Sequence, residues 1–132
     1  MDLNKNVYED IKILFVDDLP PNWKLGEAFF KRLGCSGVYA ENGKEAIEKL
    51  EVQQFDLCLM DIHMPVMDGL EAIKYIRENM TNEMPIIVMV GTATHEDLDK
   101  AIVLGANGSC DKPLSMDKIK QVIDKYVINK KI

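Results

Sequence analysis

Short apolar runs and longer segments with apolar residues every third or fourth position take turns along the chain. The run IKILFV at 11–16 predicts a strand, because a short apolar stretch between polar residues suits burial on both faces. In WKLGEAFFKRL, Leu25, Ala28, Phe29 and Leu33 recur at helical spacing, and Gly34 is a natural stop. SGVYA at 36–40 predicts a weak strand. A helix is expected from near Asn42, where Glu45 three residues on resembles a capping box. FDLCLM at 55–60 is a second strong strand. The helix after it opens at Asp68, with Glu71 three positions later, and runs to about Asn79. Pro85 introduces IIVMV, giving a third strong strand over 85–90. Thr94 and Asp97 then mark a helix start, with a stripe of Leu98, Ala101 and Ile102 before Gly105. GSCD at 108–111 is a short, poor strand. The last helix starts at Ser115 and carries Ile119, Val122, Ile123, Tyr126 and Val127 on one face.

Five strands and five helices in strict alternation predict an α/β fold, a doubly wound parallel sheet with helices on both faces. A strand covered on both faces reads apolar at nearly every position. The runs at 11–16, 55–60 and 85–90 therefore belong inside the sheet, and 36–40 and 108–111 at or near its edges. No linker, repeat or low-complexity stretch divides the chain, so 1–132 is expected to be one domain with a core over about 11–128.

Composition narrows the function. The chain has 132 residues, 47% of them hydrophobic, and a net charge of −6 with a pI near 4.9. That balance argues against a nucleic-acid surface, which needs a basic patch. No apolar run approaches the ~18 residues of a membrane span, and MDLNKNVYED lacks the apolar stretch of a signal peptide. Cys35, Cys58 and Cys110 form an odd set without CxxC spacing, which points to a reducing cytoplasm.

Where the acid falls is more informative. In an open α/β sheet the functional crevice lies beyond the carboxyl ends of the strands. Asp17 and Asp18 follow the first strand, Asp61 the third, and Lys112 with Pro113 the fifth. One Asp after a strand is usually a loop residue or a helix cap, as Asp68 before Gly69 is expected to be. An acidic pair, a further Asp and a Lys-Pro, each ending a strand, are hard to explain in that way. Three close carboxylates repel, and one Lys is too little compensation. A hard divalent ion such as Mg²⁺ suits oxygen ligands of this kind. One carboxylate would remain as a nucleophile toward a phosphoryl group, with Lys112 stabilising charge on its oxygens.

FVDD (15–18), LMDIHMPVMDG (59–69) and DKP (111–113) resemble, in order, the acidic pair, phosphorylation-site block and lysine block of response regulator receiver domains. The resemblance covers about 11–128. It implies a flavodoxin-like (βα)5 sheet of strand order 2-1-3-4-5 and a phosphoacceptor at Asp61. It also implies a Mg²⁺ (or Mn²⁺) site of Asp17, Asp18, Asp61 and the backbone carbonyl of His63, with Lys112 on the phosphoryl group. The expected partners are a histidine kinase or a histidine phosphotransfer protein and a downstream protein; no nucleic acid or membrane is expected. Output would then be by docking, by passing phosphate onward or through a domain outside these residues, and any catalysis would be self-modification rather than that of a conventional enzyme. AENGKEAIEKL and DGLEAIKYIR are similar to receivers associated with hybrid histidine kinases.

Two positions depart from the family. Where receivers usually carry a switch Thr or Ser at the end of the fourth strand, this chain has Val90, and where many carry an aromatic in the fifth strand it has Ser109. Both put the usual relay in doubt and leave a degenerate, phosphorylation-independent interaction module as the alternative. Thr92 matches a family position that tunes dephosphorylation. His63 has no His or Cys neighbours and reads as a loop side chain able to modulate hydrolysis. His95 is expected in solvent. Trp23, near the start of the first helix, suits either packing or donor contact. A phosphatase of the haloacid-dehalogenase type is disfavoured because Asp61-Ile62-His63 lacks an Asp two residues on. A flavodoxin-like cofactor binder is disfavoured because no Gly/Ser-rich loop follows the first strand.

Overall fold

The apolar runs become strands because both of their faces are covered. The computed structural model describes residues 6–81, 83–91 and 95–129. Strands β1 (Lys12–Val16), β2 (Ser36–Ala40), β3 (Leu57–Asp61), β4 (Ile86–Val90) and β5 (Gly108–Asp111) alternate with helices α1 (Pro20–Leu33), α2 (Gly43–Val52), α3 (Gly69–Asn79), α4 (His95–Leu104) and α5 (Met116–Ile123). All strand pairs are parallel, in the order β2-β1-β3-β4-β5. This is the doubly wound, flavodoxin-like order expected, with the polar strands at the edges.

Alternate strand residues enter two cores. Leu14, Val16, Cys58, Met60, Ile86 and Val88 pack with Ala46, Ile47, Ala72, Ile73, Ile76 and Ala101 from α2, α3 and α4. Ile13, Phe15, Leu57, Leu59, Ile87 and Met89 pack with Phe30, Leu33, Ile119, Val122 and Ile123 from α1 and α5. A fully buried side chain of this size contributes roughly 1.5–3 kcal/mol. Asn42, Asp68 and Ser115 cap α2, α3 and α5 by accepting from the N–H of Glu45, Glu71 and Lys118. The expected Thr94 start lies outside the described residues. No described helix is long and apolar enough to cross a membrane.

Several boundaries and faces differ from expectation. β3 starts at Leu57, not residue 55, since the Asp56 carboxylate accepts the Lys12 N–H (2.8 Å) and turns the chain into the sheet. Pro85 has no N–H to give, and β4 begins at Ile86. The buried face of α1 is Gly26, Phe30 and Leu33, whereas Leu25 is 41% exposed and Ala28 also faces water. Gly26 is the reason: a Cβ there would stand 3.2 Å from the Phe15 ring, so the helix approaches through its bare residue. In α4 Ile102 is exposed and Leu104 takes the half-buried position instead. α5 ends at Ile123, and a π turn over Asp124–Ile128 rolls Val127 into the core.

Beside Phe15 and Trp23, at centroid distances of 6.0 and 6.2 Å, Tyr39 is half-buried. Burial first, and then the negative charge of Glu27, push its phenol up to about 12. The unfolded phenol ionises near 10, so between the two values the native state keeps a proton that the unfolded state has lost. Stability supported by neutral Tyr39 is therefore full below about pH 10 and is lost as pH rises toward 12. Tyr39→Phe is expected to remove about 1–2 kcal/mol of that alkaline loss, allowing for the wet part of the ring, in urea melts across this range.

Candidate functional site

Parallel register sets the carboxyl ends of the central strands level. Val16 pairs with Met60, and Asp61 pairs with Met89. Asp17, the next residue after β1, therefore meets Asp61, which is the last residue of β3 rather than the first of its loop. The Lys112 N–H donates to the Val90 carbonyl at 2.7 Å, which carries the ladder one residue past β5 and brings Lys112 to the same end.

Asp17 is fully buried and well supplied with donors. Its Oδ1 accepts from the Leu19 N–H at 2.9 Å, and its Oδ2 from Asn22 Nδ2 and Lys112 Nζ, both at 3.0 Å. Trp23 Nε1 donates to its carbonyl at 2.7 Å. Asp61 Oδ2 accepts from Lys112 Nζ at 3.1 Å. Asp18 completes the group: Asp17, Asp18 and Asp61 each offer one oxygen, all within 4.8 Å of one another.

At that spacing each pair of carboxylates repels by about 3–4 kcal/mol for an effective dielectric near 20. Lys112 supplies one positive charge against three negative ones. Three hard oxygen donors with that residual charge suit a divalent ion of the Mg²⁺ type and none of the softer metals.

Burial pushes the Asp61 carboxyl above its ordinary range, and Asp17 adds to the shift, although Lys112 pulls against both. The ionised Asp61 therefore costs stability as pH rises through the window above the usual carboxylate value. For Lys112, burial pushes down, but the hydrogen bond it donates to Asp17 and the two carboxylate charges outweigh it and the pKa rises. Its stabilisation is full below the unfolded lysine value and is lost only in strong alkali, as pH passes the raised one.

The backbone around the site is tightly set. The Gly69 N–H donates to the Ile62 carbonyl at 2.8 Å, and a Cβ on Gly69 would overlap the Asp61 carbonyl, so only glycine allows α3 to start there. Lys118 Nζ reaches the carbonyls of Asp111 (3.3 Å) and Pro113 (2.9 Å), which bracket Lys112.

Of the residues singled out from sequence, Asp17, Asp18, Asp61 and Lys112 come together. Val90 is half-buried beside them, Ser109 is exposed on the edge strand, and His63 is exposed with Nε2 3.3 Å from Asp97 Oδ2. Thr92 lies outside the described residues. Trp23, weighed from the sequence between packing and donor contact, donates to the Asp17 carbonyl. Asn22, Lys118 and Asp97 were not anticipated at the site. The double proline opening α1 was the available signal for Asn22, because it places the next turn directly after Asp17. A surface cleft of about 880 Å³ lies at the other end of the sheet, with Leu50, Phe55, Asp56, Met80, Met84 and Pro85 in its lining, away from these carboxylates.

With this geometry the comparisons with known proteins become decisive. The profile of the response regulator receiver domain matches residues 13–124. The chain belongs to the response regulator receiver family. This receiver is 34% identical over 122 residues to hybrid signal transduction histidine kinase G of Dictyostelium discoideum, a match that covers 89% of this chain and 4% of that one. The chain thus spans a small part of that relative. It superposes with a TM-score of 0.81 on the receiver domain of sensor histidine kinase PA1611 from Pseudomonas aeruginosa, at 29% identity, covering 89% of this chain and 97% of that one. That structure has a magnesium ion coordinated in its active site cleft. The fold is also that of the Saccharomyces cerevisiae Ssk1 receiver, solved with the phosphotransfer protein Ypd1, with a TM-score of 0.85 at 24% identity over 96% and 94% of the two chains.

Removing Lys112 leaves buried Asp17 and half-buried Asp61 facing one another without the shared cation. Lys112→Met is expected to cost about 3 kcal/mol in metal-free buffer, read from urea unfolding at neutral pH.

Proposed function

We propose that this receiver accepts a phosphoryl group on Asp61 from a histidine kinase or a histidine phosphotransfer protein. The observation that carries the reading is Lys112 Nζ bridging Asp17 and Asp61 at 3.0 and 3.1 Å inside a group of three carboxylates. Membership of the receiver family, the magnesium in the PA1611 cleft and the pairing of Ssk1 with Ypd1 support it. Residues 1–132 act as a single receiver, with 11–128 as its core. Three buried free thiols are consistent with a reducing, cytoplasmic setting.

In this reading Asp17, Asp18, Asp61 and the backbone carbonyl of His63 would hold Mg²⁺, which would neutralise phosphoryl charge. An oxygen of Asp61 attacks phosphorus, the bond from phosphorus to the donor imidazole nitrogen breaks, and the electron pair returns to the imidazole, which takes up a proton. Lys112 binds a phosphoryl oxygen with the ammonium that it otherwise shares between Asp17 and Asp61. Asn22 and Trp23 hold Asp17 in place, and Lys118 holds the backbone on either side of Lys112. Turnover is limited to phosphorylation of the chain itself and its hydrolysis, which His63 and Thr92 modulate. Output is by protein–protein interaction.

The second reading, a phosphorylation-independent interaction module, is favoured by half-buried Val90 and exposed Ser109 at the two switch positions. Incubation with Mg²⁺ and a small phosphodonor separates the two. Intact mass is expected to show one added phosphoryl group on the natural protein and none on Asp61→Asn; an unlabelled natural protein establishes the second reading. Val90 also withholds a hydrogen bond that, to a charged acceptor, is worth about 1.5–3 kcal/mol. Val90→Thr is therefore expected to change the phosphoryl lifetime and to move the balance of states toward the phosphorylated form about tenfold or more, as read by decay of the labelled mass and by amide NMR shifts. An unchanged lifetime and unchanged shifts would show that Val90 is not what limits coupling.

A further inference from the structure

The cleft of about 880 Å³ at the end of the sheet opposite the carboxylates is enclosed by three separate segments: the end of α2 with its turn into β3, the turn from α3 into β4, and the π turn after α5. Its volume falls within the roughly 300–1,000 Å³ of small-ligand pockets. Phe55, Met84, Pro85 and Val127 give it a buried apolar floor, with Met80 and Tyr126 half-buried beside them. Methionine side chains adapt to the shape of what they cover.

One wall is the work of the π turn. The extra residue in that turn sets Tyr126 over the edge strand, where its hydroxyl donates to the Asn107 carbonyl at 3.3 Å. Gly108 leaves room for the ring, since a Cβ there would overlap the Tyr126 hydroxyl. Such turns are rare and recur at functional sites. The mouth of the cleft, by contrast, is acidic. Glu51 and Glu83 are exposed and Asp56 is half-buried, while no described lining residue is Lys, Arg or His. Asp56 is held rigidly: its Oδ2 accepts from the Lys12 N–H at 2.8 Å, and its own N–H donates to the Lys12 carbonyl at 2.8 Å. Nearby cations are engaged by other groups. Lys12 Nζ donates to Gln53 Oε1 at 3.2 Å, and Arg77 donates to the carbonyls of Gly105 and Thr81, each at 3.0 Å. Lys125 Nζ lies 5.2 Å from the centroid of Tyr126, so this ring already accommodates an ammonium group.

We propose that this cleft binds a small amphipathic amine, with its apolar body on the floor of Phe55, Met84 and Val127 and its ammonium among Glu51, Asp56 and Glu83. A neutral molecule would gain the floor alone, and an anion would meet three carboxylates. A free amine, rather than a protein segment, suits a cleft of this volume walled on three sides. Binding here is independent of the reading of Asp61 as phosphoacceptor.

Tryptamine, tryptophol and indolepropionate share an indole body and differ in the charge of the head group. Each is titrated into the full chain at neutral pH and followed by amide NMR, with Mg²⁺ present to compete at the Asp17–Asp61 group. Tryptamine is expected to bind with a dissociation constant on the order of 1 mM or tighter. Tryptophol should bind about three- to ten-fold more weakly, and indolepropionate more weakly still. The shifts should centre on Phe55, Met84 and Val127 and leave Asp61 and Lys112 unmoved. Glu51→Gln combined with Glu83→Gln, at two exposed positions, should weaken tryptamine by about the same three- to ten-fold and spare tryptophol. Met80→Ala should weaken both, with far-UV circular dichroism confirming the fold. Equal affinity for amine and alcohol, shifts centred on Asp61, tryptamine binding unchanged in the double Gln variant, or no binding up to about 10 mM would each overturn the proposal. So would a blocked leucyl-lysyl-leucine peptide binding where tryptamine does not, or self-association of the chain through these same amides.

Discussion

The Lys112 ammonium lies between the carboxylates of Asp17 and Asp61, 3.0 Å from one and 3.1 Å from the other, and the rest of the site is arranged around that contact. Two partly desolvated carboxylates that close together are tolerable only with a cation between them. A third, Asp18, leaves the group short of positive charge, and this deficit favours a divalent cation. The same interaction requires β1, β3 and β5 to end level, which the parallel register secures through Val16–Met60, Asp61–Met89 and Val90–Asp111. The two cores above and below the sheet make that register rigid, because a slip of one residue would exchange every buried side chain for its neighbour on the other face.

Support for the charged group comes from residues that never touch its centre. Asn22 and Trp23 hold Asp17 from the side, Lys118 clamps the carbonyls flanking Lys112, and Gly69 gives α3 room to begin against the Asp61 carbonyl. The Lys112 ammonium and the Ile62 N–H offset part of the cost of keeping Asp61 ionised in a place where burial favours its neutral form. A site held in this way is poised: its carboxylates are more costly without a cation between them than with one.

The output side is built differently from the site. Strand ends and α1 are fixed by buried rings and buried hydrogen bonds, while α4 rests on Ala101 and a few half-buried leucines. At the two proposed switch positions Val90 carries no hydroxyl and Ser109 no ring. His63 Nε2 lies 3.3 Å from Asp97 Oδ2 in the first turn of α4.

Strand identity, the central and edge positions, three of the caps and the carboxylate group were legible in the residues, because burial on both faces and capping leave local marks in the sequence. The buried face of α1 was misjudged, since Gly26 carries no apolar signal and acquires its role only from the Phe15 ring above it. The start of β3 shifted because a long-range bond from Asp56 to Lys12 ends the preceding turn. Lys112 and Asp17 are 95 residues apart, and Lys112 and Asp61 are 51 apart. Sequence alone placed Asp17, Asp61 and Lys112 at strand ends, within one carboxylate-rich group. Which oxygen meets which nitrogen, and that Asp97 reaches His63, was decided only by the tertiary structure, because those contacts depend on strand register and helix seating that no local pattern encodes.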